Sequence, residues 1–154
     1  MLYINYFLAS FLSWLGLIAG IILMKIAPEE KKPLSKTFNA VSVISISLIF
    51  FFTLFYYYSR IFEILVLAAY ALFLIFSSGK IDDSKSLMVN YPVLAVILFL
   101  SINNANLFAI NASLIFIYGA AKSSSLFNPR KNNFKFLAYS LTFLVISNIL
   151  FFIK

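Results

Sequence analysis

Six apolar runs, uncharged except for Glu63 in the third, divide this chain, at 2–24, 38–58, 61–77, 87–102, 107–121 and 136–153. A hydrocarbon core about 30 Å thick asks for roughly 20 helical residues, with about 17 as the short end. The first, second and sixth runs exceed that length. The third reaches it with its flanks, and the fourth and fifth, at 16 and 15 residues, fall short. Each run is continuously apolar, without the in–out alternation of a transmembrane barrel. Backbone polar groups in lipid must also be satisfied within their own segment. The expected fold class is therefore an all-α polytopic membrane protein: a six-helix transmembrane bundle forming one transmembrane domain over 1–154, with no soluble domain.

Composition agrees. The chain is 63% hydrophobic and 11% charged, against about 45–50% apolar and about 25% charged in soluble domains. The first run lacks a basic flank before it and is too long for a signal-peptide core, so it is expected to stay attached as a span.

Lysine and arginine placement tests the six-span arrangement. Lys25, Lys31, Lys32 and Lys36 fall in the first loop, Lys80 and Lys85 in the third, and Lys122, Arg130, Lys131 and Lys135 in the fifth. Only Arg60 and Lys154 fall on the other side. The positive-inside rule then puts the three basic loops in the cytoplasm and both termini outside. Joining residues 87–121 into one crossing spoils this bias, so that stretch is read as a short hairpin. Both a full crossing and a re-entrant hairpin satisfy the charge count. Tyr3, Tyr6, Tyr56, Tyr57 and Tyr58 are expected at the outer interface, and Tyr91, Tyr118 and Tyr139 toward the inner one.

The expected location is the cell membrane, with the lipid bilayer as partner. Lys25, Lys31, Lys32, Lys36, Lys122, Arg130, Lys131 and Lys135 are the candidate contacts to anionic headgroups. Topology accounts for the basic residues, so no nucleic-acid partner is implied.

Chemistry is constrained by what is missing. The chain has no His and no Cys, which excludes imidazole and thiolate metal sites, disulfides, and Ser-His or Cys-His catalysis. No catalytic residue, cofactor or metal is assigned. Asp82 and Asp83 form an acidic pair of the kind that engages Mg²⁺ and phosphate, but between Lys80 and Lys85, without a second acidic cluster beside them, they read as a solvated turn. Glu63 is the only carboxylate inside an apolar run; Arg60, three residues earlier, is its expected ion-pair partner.

The short turns are organised by proline. Pro28 and Pro33 bracket the charge blocks of Ala27-Pro28-Glu29-Glu30-Lys31-Lys32-Pro33, and Pro28 is suited to open a helical turn. Together with Gly16-Leu17-Ile18-Ala19-Gly20 before it, this segment resembles the first helix and turn of uncharacterised small multi-pass membrane proteins of archaea. The resemblance covers under a fifth of the chain, implies an archaeal origin, and carries no functional residue across.

Polar and small residues recur at helical spacing. Ala9, Ser13, Gly16 and Gly20 form a face on the first helix that allows close backbone approach, either within the bundle or to a partner subunit or second copy. Asn39, Ser42, Ser45 and Thr53 make a stripe on the second helix. Asn104, Asn111 and Tyr118 recur every seven residues on the fifth, and Ser140 and Ser147 on the sixth, with Asn148 beside them. Interhelical hydrogen bonding is the plain role of these seams. Asn111 stands out, because a buried amide needs partners for two donors and a carbonyl. The turn Asn103-Asn104-Ala105-Asn106 reads as a turn and N-cap.

Three functions are weighed. The first is a non-enzymatic subunit, scaffold or assembly factor acting through lateral helix contacts and a basic cytoplasmic surface. The second is a small transporter or channel with a polar path from the outer face through Asn104, Asn111, Asn148, Ser42 and Glu63. The third is a lipid- or phosphate-directed enzyme using Asp82 and Asp83.

Overall fold

The computed structural model describes residues 3–57, 83–127 and 134–153, and every element among them is helical. Five helices account for nearly all of it: α1 (Tyr3–Ile26), α2 (Lys31–Tyr56), α3 (Asp83–Leu100), α4 (Ala105–Leu126) and α5 (Phe134–Ile153). Three helical stretches are long and apolar enough to cross a bilayer: Tyr3–Ile26, Pro28–Tyr56 and Ala105–Leu126. Val89–Asn103 and Ser140–Ile153 are shorter apolar helices. The third apolar run, 61–77, lies outside the described residues, as do Tyr58 and the side chain of Tyr139.

Helix ends differ from the apolar runs for local reasons. The basic stretch after the first run is mostly helix: Ala27 and one turn of 3-10 helix, Pro28–Glu30, are all that separate α1 from α2. Pro33 sits in the first turn of α2, where a missing N–H leaves no hydrogen bond unmade. At the other end of the bundle, Ser101–Asn103 form a second 3-10 turn. Asn104 follows with extended backbone and accepts from the Leu107 N–H at 2.9 Å, capping α4. Helix α4 then runs on through Lys122-Ser123-Ser124-Ser125, and its 22 residues rise about 33 Å. The 15-residue run stopped at the first lysine, whereas the backbone ladder did not.

Helix α4 is the hub. Helices α1 and α2 both pack mainly against it, α3 packs mainly against α5, and α1 also meets α5. Tyr6 lies beside Phe108, Ser13 donates to the Ala112 carbonyl at 3.0 Å, and Gly16 and Gly20 face Phe116 and Ala120. Residue numbers rise together along this seam, so α1 and α4 are parallel. Helix α2 is antiparallel to α4, with Thr53 near Asn111 and Lys31 near Phe127. Helix α3 is antiparallel to α4 as well, pairing Asn90 with Tyr118 and leading into Ser101 beside Asn111. Helix α5 runs against α1, with Tyr3 at Asn148 and Trp14 at Ser140.

The α1–α4 seam is a backbone contact. A Cβ on Gly16 would lie 2.1 Å from the Phe116 carbonyl oxygen, and one on Gly20 would lie 2.2 Å from that of Ala120. Neither glycine has positive φ. They are needed for proximity, which gains dispersion contacts between the two backbones.

Aromatic and aliphatic side chains fill the core, with Tyr6, Leu17, Met24, Ile49, Tyr91, Ile115 and Phe143 fully buried. Four of the tyrosines expected at the interfaces, Tyr6, Tyr57, Tyr91 and Tyr118, point into the bundle. For three of them the reason is a polar partner on another helix. Tyr6 donates to the Ser147 carbonyl at 3.1 Å, Tyr57 to the Leu100 carbonyl at 2.5 Å, and Tyr118 accepts from Asn90 at 2.8 Å. Tyr3 and Tyr56 remain exposed. The outward faces are apolar: Ile26, Phe55 and Phe152 are 77%, 76% and 72% exposed, a surface suited to lipid rather than water.

Candidate functional site

Three of the completely buried polar residues, Thr53, Ser101 and Asn111, meet on the inner side of α4. Asn111 is completely buried. Its Nδ2 donates to the Ser101 hydroxyl at 2.7 Å and to the Thr53 hydroxyl at 3.2 Å, joining α4 to α2 and to the turn after α3. Both hydroxyls direct their own protons to backbone, Thr53 to Ile49 at 2.7 Å and Ser101 to Ile97 at 2.8 Å. Their lone pairs therefore face the amide, which orients it with nitrogen toward them. Asn111 Oδ1 is left buried without a partner.

Two turns further along α4, Tyr118 receives the Asn90 amide. Beside this pair Tyr91 is fully buried against Phe143, and its hydroxyl also lacks a partner. That hydroxyl is held where α1 and α4 cross, 3.1 Å from where a Cβ on Gly119 would stand.

The other seams divide into two kinds. On α5, Ser140 accepts from the Trp14 indole at 2.9 Å, and Asn148 accepts from the Tyr3 hydroxyl at 3.2 Å while donating to the Leu144 carbonyl at 2.7 Å. The bonds from Trp14 and Tyr3 cross between helices. On α2, Ser42 and Ser45 are buried, but their hydroxyls bond the carbonyls of Asn39 and Val41 in their own helix, and Asn39 itself is exposed. Those serines act by being small. On the α1–α4 seam, Ser13 shares its one proton between the Ala9 and Ala112 carbonyls, and Ser124 shares its own between those of Ala120 at 2.8 Å and Gly20 at 3.2 Å.

The four described members of the polar path through Asn104, Asn111, Asn148 and Ser42 sit in separate settings, and Glu63 lies outside the described residues. A groove of about 480 Å³ opens between α1 and α4, but its walls are Ala9, Leu12, Ser13, Phe108, Ala109, Ala112, Ser113, Phe116 and Ile117. It contains none of the path residues.

The basic residues also separate. Lys25, Lys32 and Lys36 are exposed. The Lys31 ammonium donates to the Phe127 carbonyl at the C-terminus of α4, where a cation complements the helix dipole. Lys122 is 9% exposed, on the buried side of α4. Arg60, Asp82, Arg130 and Lys131 lie outside the described residues, as do the side chains of Asp83 and Lys135. Among the described residues no cluster of three or more metal-ligating side chains forms.

Sequence reasoning did not assign Ser101, Tyr57, Asn90, Tyr91 or Trp14 to these sites. Tyrosine and tryptophan have an apolar body with a polar tip, so a tip aimed at an adjacent helix has the same sequence signature as one aimed at a headgroup. No known family model matches the chain, and neither a curated protein nor a solved structure matches it significantly.

Proposed function

We propose that this chain is a six-span protein of the cell membrane, with both termini outside, that works as a non-enzymatic subunit, scaffold or assembly factor. The observation that carries this reading is the way its buried polar groups are used. Amides and hydroxyls tie helix to helix or helix to its own backbone and are dispersed through the bundle, while the outward surface is apolar.

Helix direction supports the span count. Helices α1 and α4 run one way and α2, α3 and α5 the other, so neighbours in sequence alternate except at α2 and α3. A crossing by the apolar run 61–77 restores the alternation. Helix direction also brings Lys25, Lys31, Lys32, Lys36 and Lys122 to one end of the bundle, which the positive-inside rule places in the cytoplasm.

The transporter reading draws on one observation, the unpartnered Asn111 Oδ1 and Tyr91 hydroxyl, since buried polar atoms without partners are places where water or a solute binds. Native mass measurement after gentle detergent extraction separates the two. A complex with another chain or a second copy supports the scaffold, and a strictly lone monomer at native expression counts against it. Cysteine labelling at an Asn104→Cys variant checks the topology: reagent added outside the cell labels a fully crossing hairpin and leaves a re-entrant one protected.

A further inference from the structure

Of the eight basic residues that the sequence offers for anionic lipid, the fold distinguishes two by what lies along the same helix face. Lys32 and Lys36 are one turn apart on α2, both exposed. At 100° per residue their face continues through Ala40 and Val43. Ala40, Val43 and Ile44 are exposed too, the last two at 54% and 57%. A cationic pair thus stands at the head of an outward apolar stripe. From Lys36 to Ile44 the helix rises about 12 Å, close to the depth of one leaflet's hydrocarbon, about 15 Å.

The neighbouring charges leave this pair available. Lys31, next in sequence, is engaged at the C-terminus of α4. Glu29 and Glu30 are exposed on the preceding turn, and among the described residues no ion pair joins them to Lys32 or Lys36. Lys25, exposed at the end of α1, adds positive charge across that turn.

We propose that this stripe binds an anionic phospholipid, with Lys32 and Lys36 meeting the phosphate and acyl chains lying along Ala40, Val43 and Ile44. The site rests on the membrane reading above and names the lipid class that the basic end selects.

The test places the purified chain in nanodiscs of phosphatidylcholine with a minor share of phosphatidylglycerol, then reads the lipids retained on release by native mass spectrometry. Phosphatidylglycerol is expected to be enriched over its share. The Lys32→Gln, Lys36→Gln double variant should lower that enrichment by roughly 5- to 30-fold, from about 5-fold per lysine near an anionic surface. The Lys32→Arg, Lys36→Arg variant should keep it. Equal retention of both lipids by the wild type, or undiminished enrichment in the glutamine variant, overturns the site while the membrane reading stands. A chain that remains in water and never enters the discs overturns the membrane reading itself.

Discussion

Among the described residues, the two most extensive interfaces meet on one helix and hold it by different physics. Against α1, helix α4 presents backbone: Gly16 and Gly20 bring the chains so close that a methyl group has no room. Against α2 it presents a side-chain network, with Asn111 reaching Thr53 and, through the turn after α3, Ser101. The first contact depends on atoms being absent, the second on atoms being present. A steric seam tolerates almost no enlargement. A polar node tolerates replacement by an apolar group of similar size, because both hydroxyls it engages already have their own backbone acceptors.

Substitutions should reveal the contrast, with unfolding in detergent as the measurement. Gly16→Val is expected to have the largest effect, a loss of about 3 kcal/mol, since the new side chain meets carbonyl backbone that cannot rotate away. A variant within about 0.5 kcal/mol of wild type, the usual range for a surface change, removes the close seam from the account.

Asn111→Leu should cost less, about 1–2 kcal/mol for the interhelical bonds lost. If it costs as much as Gly16→Val, the node is as intolerant as the seam and the contrast fails. Tyr91→Phe removes a buried hydroxyl without a partner, so stability should rise, by up to about 1 kcal/mol. A clear loss instead means that the hydroxyl is hydrogen-bonded in the membrane, and it favours the transporter reading. Ser45→Ala should be nearly silent, within about 0.5 kcal/mol, because its hydroxyl serves only its own helix; a larger loss makes the α2 face a polar seam after all.

Legibility in the sequence followed the range of the interaction. Helix content, the glycine spacing on α1 and the capping role of Asn104 are local properties, readable from run length, small residues four apart and an Asn before an apolar stretch. The extent of α4 was harder to read. Lys122 and three serines looked like the start of a loop, yet a helix continues through polar residues when its core-facing side stays packed, as Lys122, Ser123 and Ser124 do here. The partners of the tyrosines are hidden for a related reason. A polar tip carries no mark of whether its partner is water, a headgroup or the Leu100 carbonyl.

What the sequence settled by itself was the helical character of the described residues and the apolar composition of the helices, because run length and the need to satisfy backbone hydrogen bonds within each segment act residue by residue. Which helix became the hub, which glycine met which carbonyl, and which lysine was engaged inside the molecule rather than exposed were decided only on assembly. Those outcomes depend on contacts between residues about a hundred positions apart, such as Ser13 with Ala112 and Lys31 with Phe127, and no pattern within either segment encodes its distant partner.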